Sequence, residues 1–586
     1  MRIKFQKNIK KTQVTGLFIV LYIGLYIASA SANISGFVVD QASNPIPNAS
    51  VQIQNDVNSP IVLTAADGSF NLPVNPVGTV MITATLTYDP NIPLNYPIEQ
   101  NSANNGDTGV ILVFQVLTPN DNPNYIPPPP EFVCEVCHID QVEQWQQSNH
   151  SESATNVWVL DLFSGTGTPD GDQGFVFTET HDPDETGFCA TCHAPLADVF
   201  DPGNVMFDEV TAQGALSGVQ CLACHQIDNV NNNIDALAHL GNSSYRFPDD
   251  GSTELFVWGP LPDVGFSVMN ALHAPVFSES LFCASCHQYN NPFSNVVGQS
   301  TYAEWQASPF SVPGPEFASC QDCHMPVADG PGTISNIGGQ PIRPAEQRHD
   351  HSFVGTTPQM LADNIEMNVN TETIGNELVV TVNITNFAGH SFPTGVSIRN
   401  ALLHITAEVG GQALTQTNGS TIYSFADDNV PGVQPGDLGG QPGKGFGRVL
   451  QGQINDIGPI LEPVLFIDAD NVLLDTRIPS GMTDITEVRF NLDNIPQNSV
   501  IEVNTELLWR RAWRALMVTK NWTTSAHDDG PVEIVAASES LQLVGGTASP
   551  LPIASVPALN VWGLIGLFIT VLAFAGFCSR QKYSTL

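Results

Sequence analysis

Alternation of apolar and polar residues marks two stretches of the chain, residues 33–117 and residues 361–545. A period of two is typical of strands that bury one face and expose the other. The alternating apolar positions are Ala49, Val51 and Ile53 in the first stretch and Leu378, Val380, Val382 and Ile384 in the second. The pattern predicts an N-terminal β-sandwich and a C-terminal β domain, so the fold class is multidomain.

The segment between these two domains has a different character. It begins with a proline-rich linker at 118–131, where Pro127 to Pro130 favour an extended polyproline conformation that holds two domains apart. Residues 132–360, called here the motif region, include a helical pattern over 140–150, with Val142 and Trp145 three residues apart on one face.

Apolar runs occur at both ends. Residues 1–32 combine a basic start, an apolar run and small residues, which predicts a secretory signal peptide cleaved near Ala30 or Ala32. An uncleaved membrane anchor is the alternative. Residues 546–586 predict a transmembrane helix with a basic end at Arg580 and Lys582, and the positive-inside rule places that end in the cytoplasm.

The charge balance is strongly acidic. The chain has 58 acidic and 19 basic residues, and seven of the basic ones lie in the two terminal segments. The predicted exported body therefore carries 58 acids against 12 bases, a formal charge of −46. Such a surface repels nucleic acid and attracts cationic partners, although adaptation to salt or calcium would also explain it.

The candidate chemistry is one short motif, C-x-x-C-H, that occurs five times in the motif region. Its residues are Cys134, Cys137 and His138; Cys189, Cys192 and His193; Cys221, Cys224 and His225; Cys283, Cys286 and His287; and Cys320, Cys323 and His324. This spacing is the attachment site of a c-type haem, in which the thiols bond the porphyrin and the histidine coordinates the iron from the proximal side. The sequence therefore predicts five covalent haems, which would supply much of the apolar core among short helices and loops with little sheet.

Two other uses of paired cysteines remain open at this point. Zinc ribbons also contain C-x-x-C pairs, but they do not require a histidine after every second cysteine. Ten cysteines in an exported protein could form five disulfides, although adjacent C-x-x-C pairs are rarely cross-links. Ten of the eleven cysteines belong to the motifs, and Cys578 lies in the predicted membrane segment.

Each iron also needs a distal ligand on its other face. The motif region contains six further histidines: His150, His181, His239, His273, His349 and His351. Six candidates for five positions favour irons with two histidine ligands, with methionine as a rival ligand. An unbroken helix over 140–150 would carry His150 too far from its own motif, so it would ligate a neighbouring iron.

Several elements resemble the multihaem cytochromes related to the nitrifiers' tetrahaem cytochrome. They are W-x-x-S-x-H at 145–150, the histidine ahead of the fourth motif, C-x-x-C-H-M-P at 320–326 and H-x-F-x-G at 351–355. The resemblance implies that His150, His273 and His351 are distal ligands. Residues 302–308 repeat the first element, but Phe310 replaces its histidine. His181 and His239 are candidate distal ligands only because the remaining irons need histidines. His349 is a spare candidate or a partner of a haem propionate.

The flanking segments carry resemblances of their own. The N-terminal stretch is similar to the regulatory β-sandwich of carboxypeptidases, which indicates a spacer or adhesion module. G-H-x-F-P-T-G at 389–395 and D-T-R-I-P at 475–479 resemble the immunoglobulin-like domain that follows the haems in many such cytochromes. His390 could approach the last haem, but a turn residue is the favoured interpretation. The tail at 546–586 resembles exosortase-type sorting signals, with a permanent anchor as the alternative.

A basic cluster in the C-terminal domain comprises Arg510, Arg511 and Arg514. It is expected to bind haem propionates or to end a helix at a domain interface.

These features predict an exported pentahaem cytochrome that passes electrons between redox partner proteins in the periplasm or at the cell surface. One alternative is a multihaem reductase or oxidase of a small nitrogen or sulfur compound at an open iron. A second is a haem-wired structural surface protein.

Overall fold

The N-terminal stretch forms two small sheets that face each other. The computed structural model describes residues 33–87, 96–115, 122, 124–230, 243–247, 255–265, 269–338, 340–424, 437–527 and 530–544. One sheet has the order Ser69–Leu72, Ile34–Asp40, Thr108–Phe114, and the other Val62–Leu63, Ser50–Ile53, Val80–Thr85, Glu99–Ala103. Ala49, Val51 and Ile53 are buried between the sheets, as their alternation predicted. The turn before Ser69–Leu72 uses Gly68 at φ +75°, in the left-handed region that favours glycine.

The C-terminal domain is a larger sandwich of two antiparallel sheets. One has the order Ile365–Ile374, Glu377–Asn386, Thr483–Asn491, Gln416–Gly419. The other has the order Asn471–Asp475, Gly443–Gln451, Asn400–Val409, Val500–Arg510, Glu533–Val544, with Gln412–Ala413 paired to Asn400–Val409. Leu378, Val380, Val382 and Ile384 are fully buried in the core between the sheets. Helices Pro358–Asn364 and Arg514–Thr519 flank this sandwich.

The motif region consists of short helices joined by long loops, with three two-stranded sheets among the described residues. Its α-helices are Pro130–Val133, Ile139–Gln146, Val157–Phe163, Phe177–Thr180, Cys189–His193, Pro195–Asp198, Gln213–Leu216, Cys221–His225, Leu281–His287, Thr301–Gln306 and Cys320–His324. The strand pairs are Ile227–Val230 with Ser243–Tyr245, Leu255–Gly259 with Met269–His273, and Gln288–Asn290 with Val297–Ser300. The chain is therefore multidomain, with β-sheets at both ends and a helical, cytochrome-like region between them.

The helix predicted over 140–150 is shorter than expected and ends at Gln146. Serine hydroxyls explain the early end. Ser148 Oγ donates to the Trp145 carbonyl at 2.7 Å, and Ser151 Oγ donates to the Ser148 carbonyl at 2.8 Å. Such local hydrogen bonds compete with helix propagation, so His150 lies in the turn after the helix.

The N-terminal sandwich packs directly against the motif region, and its role as a spacer or adhesion module stays a prediction. The Ile98 amide donates to the Ala271 carbonyl at 2.8 Å, and Gln54 Nε2 donates to the Asp263 carbonyl at 3.0 Å. The Asp263 carboxylate accepts from the Asn55 amide and pairs with Arg343 at 2.9 Å. Asp263 and Arg343 are both almost fully buried.

The linker also packs instead of standing free. Tyr125 stacks on Phe247 with ring centroids 5.3 Å apart. The Pro128 carbonyl accepts a hydrogen bond from the Gln220 side chain at 3.1 Å. Pro129, at φ −59° and ψ 143°, has the predicted polyproline geometry.

The two ends of the chain cannot be compared with their predictions. The signal peptide at 1–32 and the C-terminal segment at 546–586 lie outside the described residues. In the part of the chain that is described, no helix has the length and apolarity to cross a membrane. The domain limits at 117, 131, 360 and 545 stay predictions.

Replacing Asp263 with asparagine should destabilise the protein strongly, because it leaves the Arg343 guanidinium buried without its counter-charge. We expect the free energy of unfolding to fall by about 3–5 kcal/mol, measured by denaturant titration. Glu487→Gln, which removes a half-exposed carboxylate from Arg489, is the control and should cost under about 1 kcal/mol. Equal losses in the two variants would contradict a structural role for the buried pair.

Candidate functional site

Each of the five motifs is folded as one helical turn. Three motifs form the short helices Cys189–His193, Cys221–His225 and Cys320–His324, and the fourth ends the helix Leu281–His287. In the first motif the His138 amide donates to the Cys134 carbonyl at 2.8 Å. Residues three and four apart lie on one face of such a turn. The two thiols and the imidazole of each motif therefore face the same side.

The motif imidazoles are held through Nδ1. Nδ1 of His138 lies 2.8 Å from the Ile334 carbonyl oxygen, and Nδ1 of His193 lies 3.3 Å from that of Ser153. Nδ1 of His225 lies 2.7 Å from the Trp258 carbonyl oxygen, and Nδ1 of His324 lies 2.7 Å from that of Val354. A carbonyl oxygen can only accept, so Nδ1 carries the proton and Nε2 keeps its lone pair. Metal-ligating histidines are oriented in this way.

The remaining motif imidazole, that of His287 in the fourth motif, lies with its Nδ1 3.1 Å from the amide nitrogen Nε2 of Gln299. The oxygen and nitrogen of such an amide are assigned from their surroundings. With the amide oxygen toward the ring, Gln299 accepts from Nδ1 as the carbonyls do elsewhere. All five motif histidines then present Nε2 as a ligand.

Two motif histidines face a second imidazole at the separation that a shared metal ion requires. The ring centroids of His287 and His150 are 6.4 Å apart, and so are those of His324 and His390. Two rings on one ion should have centroids roughly 6.2 Å apart, given two metal–nitrogen bonds of about 2.0 Å and about 1.1 Å from each nitrogen to its ring centre. The planes of His324 and His390 are nearly parallel, at 12°.

His150 thus lies opposite the fourth motif and not its own. Among the described residues its buried Nδ1 has no hydrogen-bond partner. The edge of Phe353 packs on the ring at a centroid distance of 4.5 Å. Packing therefore orients this ring.

His390 was interpreted from the sequence as a turn residue, whereas its ring stacks opposite His324. It does occupy a turn, which follows the strand Glu377–Asn386 of the C-terminal domain. The Asn386 side chain donates to the His390 carbonyl at 2.8 Å. From the sequence, His390 could approach the last haem but a turn residue was favoured, and ligands were counted only between residues 132 and 360. A count over the whole body would have included it.

His351 lies near the third motif. Burial, together with the neighbouring His225 imidazole, lowers the pKa of His351 to about 4. Its Nδ1 donates to the His349 carbonyl at 2.9 Å, and the Nδ1 of His349 donates to the Met325 carbonyl at 2.7 Å. Nε2 of His349 and of His351 is therefore available to ligate a metal, and these two candidate ligands lie two residues apart.

The structure gives no support for His181 as a distal ligand. Its Nδ1 contacts the Thr180 hydroxyl at 3.0 Å, and its Nε2 contacts the buried Asp468 carboxylate at 2.9 Å. With both nitrogens engaged, the ring ties the motif region to the C-terminal domain. His273 Nδ1 contacts the Thr87 hydroxyl at 3.3 Å, and the role of His273 as a distal ligand stays a prediction. His239 lies outside the described residues.

Burial keeps these rings neutral at physiological pH. It lowers the pKa of His150 and of His193 to about 4 and that of His287 to about 3. Neutral imidazole is the form that coordinates metals. The set of donors therefore fits haem iron.

The motifs are close neighbours in space. Thiols of different motifs are near enough to shift each other's pKa: Cys134 and Cys221, Cys192 and Cys286, and Cys283 and Cys320. All ten motif cysteines are free thiols. Within the described ranges, no group of three or more histidine, cysteine or acidic side chains is arranged to hold a metal ion.

The basic cluster expected to bind propionates is engaged elsewhere. Arg510 pairs with Glu533 at 2.6 Å, and Arg514 pairs with Asp437. Arg399 is a better candidate, because it interacts electrostatically with both His287 and His390. No acidic side chain in the described part of the chain forms an ion pair with it. A half-buried cation without a counter-charge is suited to pair with the propionate carboxylates of a haem.

Comparisons with known proteins agree with this chemistry over part of the chain. Residues 133–226, which contain three of the five motifs, match the family model described as cytochrome c554 and c-prime. This match supports a multihaem c-type cytochrome. No curated protein matches the sequence. Among solved structures, the chain is similar to a penta-heme cytochrome c552 from Thermochromatium tepidum, with 22% identity, a TM-score of 0.48, and coverage of 72% of this chain and 99% of that one.

Proposed function

We propose that this protein is a pentahaem c-type cytochrome that passes electrons between redox partner proteins. The observation that carries the proposal is the state of the five motif imidazoles. Four of them are half-buried, donate Nδ1 to a backbone carbonyl and present Nε2. Two motif imidazoles, those of His287 and His324, face a second imidazole at 6.4 Å. Haem iron supplies reversible one-electron chemistry when it is bound in such a site.

The chain's own residues determine how such a site behaves. The thiols tether the group, so it is not lost on oxidation or reduction. Where imidazoles lie on both faces, no position is left for a substrate. Backbone hydrogen bonds hold four of the motif imidazoles in one orientation. We assign His150 to the fourth motif and His390 to the fifth, and His351 to the third because His225 is its neighbour. A fixed, closed coordination favours electron transfer over substrate turnover.

We further propose that the protein is exported and that it meets cationic partners. Export rests on the signal-like residues 1–32 and on the ten motif cysteines. The preference for cationic partners rests on the −39 formal charge of the whole chain, which would attract positively charged proteins and repel nucleic acid. Attachment to the membrane through residues 546–586 is part of the same proposal.

Mass spectrometry of the protein from a host that matures c-type cytochromes tests the cofactor content. We expect five covalent haem additions. Fewer than four, or a colourless protein that holds zinc, would refute the proposal. In the native protein, EPR should show low-spin haems only, and a substoichiometric high-spin signal would favour the alternative of a reductase or oxidase.

Ligand variants test the assignments of His150 and His390. Replacing either one with alanine should convert one haem per protein to a high-spin form that binds carbon monoxide, because the sixth position becomes open. His181→Gln is the matched control and should leave every haem low-spin, since Asp468 already occupies its Nε2. A high-spin haem in the His181 variant would restore its predicted role.

Arg399→Gln tests the cation near the fourth and fifth motifs. Removing a positive charge disfavours addition of an electron nearby, so the midpoint potential of at least one haem should fall. The expected change is about 1–2 kcal/mol per electron, for charges roughly 8–15 Å apart at an effective dielectric constant of about 20. Optical potentiometric titration measures it. Arg489→Gln, which removes a cation already paired with Glu377 and Glu487, should leave the titration unchanged.

A further inference from the structure

Two parts of the motif region share one local structure, in which a tryptophan links a helix to a later motif. Trp145 Nε1 donates to the Val219 carbonyl at 2.9 Å, and Trp305 Nε1 donates to the Ala318 carbonyl at 2.8 Å. Each acceptor lies two residues before the first cysteine of a motif. In both copies the serine three residues after the tryptophan donates to the tryptophan carbonyl at 2.7 Å. The motif region therefore contains an internal repeat.

The copies differ where the first supplies an iron ligand. The first has His150, whose ring faces His287, and the second has Phe310 at the same position. The turn that carries His390 packs on this second copy. A Cβ at Gly389 would lie 3.6 Å from the Trp305 ring and 3.7 Å from the Phe310 ring.

The residue before each tryptophan holds a segment that carries a distal histidine. In the first copy Gln144 Oε1 accepts from the backbone amide of His351 at 3.0 Å. In the second copy Glu304 Oε2 accepts from the Ser391 amide at 3.1 Å and from the Thr394 hydroxyl at 2.6 Å. The equivalent side chain therefore has the same kind of partner in both copies.

The Glu304 carboxylate is nearly buried and bonded at both oxygens. Its Oε1 accepts from the Ser300 hydroxyl at 2.6 Å and from the Arg477 guanidinium. Arg477 also pairs with Asp475 at 2.8 Å. Charge-assisted bonds of this kind are about twice as strong as neutral ones and fix orientation. They join the helix Thr301–Gln306 to the C-terminal domain beside His390.

We propose that Glu304 and Gln144 are positioning residues, which hold His390 and His351 on the distal faces of the fifth and third motifs. This inference rests on the proposed function, since it assumes that these rings ligate iron. It assigns a role to the second copy of the repeat, which lacks a histidine of its own. That copy binds a ligand-bearing turn from another domain.

Carbon monoxide binding to the reduced, haem-loaded protein tests the inference. Glu304→Leu removes both bonds to the turn, so we expect the fraction of haem that binds carbon monoxide to rise by roughly tenfold or more, because each bond to a charged group can shift an equilibrium by about that factor. Glu304→Gln keeps an acceptor for Ser391 and should rescue most of the low-spin signal. Gln144→Leu should open the third-motif haem to a smaller extent, since its bond is neutral.

Two controls separate positioning from loss of stability. Asp475→Leu disrupts the same ion network through Arg477 but leaves both bonds between Glu304 and the turn, so it should lower the melting temperature without increased carbon monoxide binding. If Glu304→Leu does not assemble, Thr394→Val removes one bond and should still raise binding measurably. No rise in the assembled variants would overturn the inference.

The alanine variants of His390 and His351 serve as references for full opening. If these references also bind no carbon monoxide, the ligand assignments of the proposed function fail. If they bind it and the Glu304 variants do not, only the positioning role fails. The two results are therefore distinguishable.

Discussion

An imidazole can ligate a metal only when one ring nitrogen is free of its proton and the ring is held in the right direction. In this protein a hydrogen bond at Nδ1 meets both conditions at once. The carbonyls that accept it come from segments far away in the chain, such as Val354 for His324 and Ile334 for His138. These two motif histidines therefore require that remote loops be in place, and the fold of the motif region brings these carbonyls to the rings.

The same requirement explains which parts of the site could be predicted from the sequence. The proximal half of each site is formed by neighbouring residues, because two thiols and an imidazole must lie on one helical turn. Their spacing can therefore be recognised in the sequence. The distal half is not local. His390 belongs to a different domain from His324, and no spacing rule relates them. His181 had the right residue type, but a buried carboxylate, Asp468, engages the nitrogen that an iron would need.

The domain architecture shows a similar division between local and remote information. The alternating apolar residues predicted both sandwiches, since their cores form within a single segment. The docking of the N-terminal sandwich was missed because part of it uses backbone groups, such as the Ile98 amide and the Ala271 carbonyl, which any residue carries. The early end of the helix at Gln146 depended on two serine hydroxyls, which are visible in the sequence but also occur within ordinary helices.

The position of His390 within its domain has a consequence for the order of assembly. Its turn is closed by a bridge between Phe392 and Ile478, and the strand before it pairs with Thr483–Asn491. A chain that emerges from its N-terminus presents the fifth motif long before these later strands exist. Under the proposed assignment of His390 to the fifth motif, that site is therefore completed only when the C-terminal sandwich has closed, and a truncated or stalled chain would lack its distal imidazole.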